Sequence, residues 1–141
     1  MRRERIAPRA LAAALTLLAG CASAPKPATP AAGIVGPVWV AADIAGTAAG
    51  TEAPVTLQLG ADGRASGHGG CNGYVGSFTL AGDALTFGPL ASTRMACASA
   101  LMDREQRYFE TLAQVAHYAV ADDGALLLTT ADGKTIRFRR Q

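Results

Sequence analysis

Four dipeptides that join an aspartate to a glycine constrain this chain most: Asp62-Gly63, Gly82-Asp83, Asp123-Gly124 and Asp132-Gly133. Each sits between two short apolar segments. Glycine reaches positive φ without steric cost, and such pairs between alternating segments are hairpin turns. The segments they separate are too short for helices and read as strands: Val38–Ile44, Val55–Leu59, Arg64–Gly69, Tyr74–Leu80, Ala84–Pro89, Ala116–Ala121, Ala125–Thr130 and Thr135–Arg139. In the fourth, Tyr74, Gly76, Phe78 and Leu80 fall on one face, opposite Val75, Ser77 and Thr79. In the last, Ile136 and Phe138 oppose Arg137 and Arg139.

One segment breaks the period of two. Leu101, Tyr108, Leu112 and Val115 follow helical spacing, flanked by Met102 and Phe109, while Asp103, Arg104, Gln106, Arg107 and Glu110 take the other side. Ser99 is placed to cap this helix through the amide of Leu101 or Met102, and the helix runs to about Gln114. Asp103 and Glu105 lie early, where the helix dipole favours acids. The fold class is therefore α+β, a curled antiparallel sheet whose open side is covered by one helix at about residues 99–114.

The N-terminal part has a different character. Residues 1–20 hold four arginines (Arg2, Arg3, Arg5, Arg9) and one acid, and Ala10–Ala19 is a short apolar run, the pattern of a secretory signal. The run ends Leu17-Leu18-Ala19-Gly20-Cys21, which resembles a bacterial lipobox. Small residues suit the signal peptidase cleft, and the Cys21 thiol is free to take a diacylglyceryl group before cleavage. Ordinary cleavage after Ala22-Ser23-Ala24 is the alternative. Arg2-Arg3 is a weak hint of twin-arginine export. Residues 21–37 carry Pro25, Pro27, Pro30 and Pro37 among small residues and read as an extended tether. Residues 38–141 then form one domain. Ala22 after the lipobox cysteine favours the outer membrane, with the domain facing the periplasm.

Charge follows the same division. The formal net charge of +2 belongs to the leader, because from Cys21 onward there are nine bases against ten acids. A nucleic-acid-binding surface has no support from net charge. With 50% apolar and 17% charged residues the chain is not disordered, and no apolar run approaches the roughly 18–20 residues of a transmembrane helix.

Two blocks carry a family likeness: Gly70-Cys71-Asn72-Gly73-Tyr74-Val75-Gly76-Ser77-Phe78, and Gly82-Asp83-Ala84-Leu85-Thr86-Phe87-Gly88-Pro89-Leu90 followed by Ser92-Thr93-Arg94-Met95-Ala96-Cys97. With the early Trp39, the helix and two closing strands, the chain resembles the META domain of HslJ-type heat-inducible lipoproteins over Trp39–Phe138. Phe78 stands where Tyr is common, which keeps the ring and removes a hydroxyl. The resemblance implies a partly open β-barrel with a packed helix, in an envelope lipoprotein or secreted domain. It carries over no catalytic residue.

In an oxidising envelope the two cysteines left after Cys21, Cys71 and Cys97, invite a disulfide closing a 27-residue loop. A redox-active thiol pair is the alternative, though the chain lacks a CxxC arrangement or a clear base nearby. His68, Cys71 and Cys97 lack the paired spacing of metal ligands, and the run Gly63, Gly67, Gly69, Gly70, Gly73, Gly76 lacks the Lys-Ser/Thr of a phosphate loop. No metal and no cofactor are expected. Asn72 reads either as a positive-φ position or as an amide that pins a loop. Tyr74 lies on the apolar face of its strand. Arg94, among small and apolar residues, is expected to brace its loop, with anion binding as the alternative. His117 reads as a partly buried strand residue. Arg137, Arg139 and Arg140 form a basic stretch on the last strand, read as a guard against edge pairing, with lipid headgroup contact as the alternative.

No pair of carboxylates and no nucleophile with its base emerges. The reading is a non-enzymatic, lipid-anchored envelope protein acting by binding an envelope partner or ligand, in envelope integrity or stress tolerance. Binding of a lipid or peptide in the partly open barrel, as in lipidated pilot proteins, and thiol redox chemistry at Cys71 and Cys97 are the rival readings.

Overall fold

The computed structural model describes residues 33–141; the expected signal, Cys21 and most of the expected tether lie outside them. Ten strands and one helix follow in the order β1 (Val38–Ile44), β2 (Thr47–Ala48), β3 (Thr56–Leu59), β4 (Arg64–His68), β5 (Gly73–Ala81), β6 (Ala84–Phe87), β7 (Ala91–Ser92), α1 (Ser99–Leu112), β8 (Val115–Val120), β9 (Leu126–Thr130) and β10 (Thr135–Arg140). Every pairing is antiparallel. The path β10-β9-β8-β6-β5-β4-β3-β1 is closed by pairing of β10 with β1, giving an eight-stranded barrel.

The aspartate–glycine turns lie where the sequence places them, with Gly63, Gly82, Gly124 and Gly133 all at positive φ. Two short strands escaped the sequence reading. β2 forms a hairpin with β1 through Ala45 and Gly46, both at positive φ, with Asp43 accepting a hydrogen bond from the Gly46 amide. β7 pairs with β5 beyond the end of β6.

The barrel interior is filled. Trp39, Leu57, Leu59, Leu85, Leu126, Leu128, Ile136 and Phe138 are fully buried, and Tyr108 and Leu112 of α1 complete the same cluster. The barrel is weakest between β6 and β8, which share one bridge, Ala84 to His117, and the Tyr118 N–H donating to the Asp83 carbonyl at 2.9 Å. Beyond that point β6 and β8 separate, so the barrel is partly open.

Three expectations are corrected. Ala98, not Ser99, occupies the helix cap, no side chain caps it, and the first turn holds no acid. His117 is exposed, 3.6 Å from Asp83, because its side chain points outward from β8. β10 is no edge strand, since β9 and β1 pair with it on both sides, so its arginines guard no open edge.

Candidate functional site

The Cys71–Asn72 turn, the Ser92–Cys97 segment and α1 converge on one locus. The turn joins β4 to β5 and is pinched by the Gly69 N–H donating to the Asn72 carbonyl at 2.7 Å. That conformation turns backbone donors inward, and a helix carboxylate meets them. Glu105 Oε2 accepts from the N–H of Cys71 at 3.1 Å and of Asn72 at 2.5 Å, while Oε1 accepts from Asn72 Nδ2 at 2.6 Å. The other end of the Asn72 amide, Oδ1, accepts from Thr93 Oγ1 at 2.9 Å and the Met95 N–H at 2.7 Å. Asn72 thus pins a loop at both ends of its amide. A side chain at Gly69 would meet Glu105 and the Phe109 ring at 2.7–2.9 Å, which is why the turn closes with glycine.

The cysteines reinforce the same junction. Cys71 and Cys97 form a disulfide, with their Cα atoms 6.0 Å apart. One end of the bridge is buried at Cys71. Tyr74, next along β5, donates to the Thr56 carbonyl at 2.9 Å and lies 2.6 Å from the Tyr108 hydroxyl. Since Tyr74 has one proton and gives it to Thr56, Tyr108 is the donor between them. Burial pushes both phenols well above their ordinary pKa, and the hydrogen bond from Tyr108 offsets this in part at Tyr74. The Tyr74 ring also meets Phe109 edge-on at 5.3 Å.

Arg94 does not brace its loop: it is exposed and forms no hydrogen bond or ion pair among the described residues. Arg104 does the bracing instead. From α1 its Nη1 donates to the Ala49 carbonyl at 2.5 Å, and its Nη2 to those of Ala53 at 2.5 Å and Glu52 at 3.0 Å. The guanidinium passes Gly50 and Gly70, where a Cβ would lie 3.2 and 2.7 Å from it. The sequence reading missed Glu105 and Arg104. For Glu105 a signal existed: 101, 105, 108 and 112 are the positions of the apolar stripe, and an acid within it must find donors when buried. Arg104 left no such signal, because its partners are carbonyls about fifty residues away.

Beside this junction lies a groove of about 550 Å³, walled by Arg94, Met95 and Ala96 on one side and Met102, Gln106 and Phe109 on the other. Met95 and Met102 are 56% and 45% exposed, an adaptable apolar lining. A second recess of about 360 Å³ runs from Phe109 along Phe87, Pro89 and Leu90, between the end of α1 and the β6–β7 connection.

A family model described as META domain matches residues 32–141. The chain belongs to the META domain family. An NMR structure of a protein from Burkholderia xenovorans is 31% identical with a TM-score of 0.65, over 91% of this chain and 99% of that one. Another NMR structure is 27% identical with a TM-score of 0.60, over 73% of this chain and 87% of its own. A search of curated proteins finds no match. In this META domain the Gly70–Tyr74 and Ser92–Cys97 blocks are two sides of one junction, held by a disulfide, an amide and a carboxylate.

Proposed function

We propose that this META domain is a non-enzymatic, lipid-anchored protein of the cell envelope that serves envelope integrity or stress tolerance by binding a partner or ligand. One observation carries the reading. The residues with the best claim to chemistry are already engaged, Cys71 and Cys97 with each other and Asn72 at both ends of its amide. The lipobox at Cys21 and the Pro/Ala tether supply the envelope address, facing the periplasm from the outer membrane.

The filled barrel speaks against a ligand inside it, and the rival lipid- or peptide-binding reading moves outside, to the methionine-lined groove along α1. The burial of Cys71 shields one sulfur of the bridge from an attacking thiolate and leaves only that of the half-buried Cys97 within reach, which weighs against the redox reading.

Complementation of a deletion strain tests the proposal. Resistance to detergent or heat should return with the wild-type chain and fail with Cys21→Ser, which cannot be acylated. A Cys71→Ala/Cys97→Ala chain should complement wherever it stays folded and abundant. If that chain is folded, membrane-bound and inactive, thiol chemistry replaces the binding role.

A further inference from the structure

We propose that the Arg139–Arg140 corner of the barrel seats the domain on the phosphate headgroups of the membrane that holds its anchor, an inference that rests on the lipid-anchored reading. With β10 paired on both sides, its arginines need another explanation than edge protection. Residues 33–141 contain eight Lys and Arg against ten Asp and Glu, and three of those eight bases lie within residues 137–140. The other five bases stand against all ten acids, so the remainder of the domain carries a net negative charge that an anionic surface repels. Arg137 is paired with Asp123, but Arg139 and Arg140 are exposed and have no acidic partner among the described residues.

Position makes the corner more telling than its charge alone. Arg140 Nη2 donates to the Gly33 carbonyl at 2.9 Å, so the corner adjoins the residue through which the tether reaches the domain. The guanidinium also lies over the Trp39 ring, 5.5 Å from its centroid, which fixes its place, and its other N–H groups have no hydrogen-bond partner among the described residues. Two valines flank the pair: Val40 lies opposite Arg139 across the β1–β10 ladder, and Val120, 53% exposed, lines the same recess of about 650 Å³, whose one acid, Asp123, is already paired with Arg137. Arginine beside aliphatic side chains suits a headgroup boundary.

The chain from Cys21 to residue 32 reaches at most about 40 Å when extended. An anchored domain thus stays within one molecular diameter of the bilayer, at an effective concentration in about the millimolar range. At such confinement weak attraction suffices. Each arginine near an anionic surface shifts the balance between seated and lifted domain about five-fold, and the pair about thirty-fold.

Trp39 is the chain's one tryptophan and lies beneath Arg140, which makes it the reporter. The lipidated full chain is reconstituted in phosphatidylcholine vesicles with and without phosphatidylglycerol, with a spin label on lipid headgroups as quencher. Trp39 emission should be quenched in the anionic vesicles at low salt, and quenching should fade at about 0.5 M salt. Arg139→Gln, which leaves the Arg140–Trp39 contact in place, should lower the seated-to-lifted ratio about five-fold, and Arg139→Gln/Arg140→Gln should abolish headgroup quenching, with vesicle flotation unchanged. Protein that floats yet is unquenched, or quenched equally in both variants, overturns this inference alone. Protein that does not float removes the anchor and the inference together.

Discussion

Glu105 is the residue on which the junction turns. It is 8% exposed and accepts three hydrogen bonds from the Cys71–Asn72 turn. Glu105→Ala leaves two backbone donors and an amide buried without partners, and is expected to lower unfolding free energy by about 3 kcal/mol in denaturant titration. An unchanged midpoint would mean that water replaces the carboxylate. Tyr74 and Tyr108 give a second expectation. Their phenols are raised by burial above the ordinary value of 10.0. A raised folded-state pKa contributes stability that is complete below the unfolded value and is lost as pH rises beyond it. Thermal midpoints should therefore hold up to the ordinary phenol value of 10.0 and fall as the pH rises above it, less steeply in Tyr108→Phe, which keeps one of the two phenols. At this scale the sequence was readable where side chains obey a local period, as at Ile136 and Phe138. It was opaque where one side chain serves a distant backbone, as Arg104 does, since nothing near position 104 names those carbonyls.

Elements were legible to the extent that turns announce them. The aspartate–glycine pairs placed four hairpins because positive φ is a local property of glycine. β2 was missed because its turn is Ala45-Gly46, with alanine in a left-handed conformation it rarely adopts. β7 was missed because two residues have no period to read. The helix was recognised but its cap was misplaced by one residue: Ala98, not Ser99, holds the extended conformation of a cap, φ −56° and ψ 142°, without an oxygen to offer. Ala98→Asp should supply that oxygen and raise stability by about 1 kcal/mol, read as a higher midpoint in urea. The disulfide acts on the connection that leads into this helix. Closing residues 71 to 97 restrains the unfolded chain by about 3.5 kcal/mol in the chain-entropy account. Reduction, or Cys71→Ala/Cys97→Ala, should lower the thermal midpoint by about 15 °C for a domain of this size. A shift of only a few degrees would mean that the hydrogen bonds of Asn72 and Glu105 hold the junction unaided.

The whole molecule divides into a short-period barrel and an N-terminal region of different composition, and the sequence marks that division by its prolines and by its four early arginines followed by an alanine- and leucine-rich run. Closure of the barrel was less legible, because pairing of β1 with β10 joins residues about a hundred apart and no local pattern encodes it. The filled interior leaves the outside of the barrel to function, where the groove along α1 offers apolar contact and the arginine corner offers charge. The proposed envelope role needs an anchored domain whose Cys71 and Cys97 are a structural bridge. Intact mass of the protein purified from its native membrane, alkylated with and without reduction under denaturing conditions, tests that claim most directly. The expected result is a chain beginning at Cys21 with added lipid mass, and two alkylations that appear only after reduction. Two thiols alkylated without reduction, on a chain free of lipid, would contradict both the anchor and the bridge.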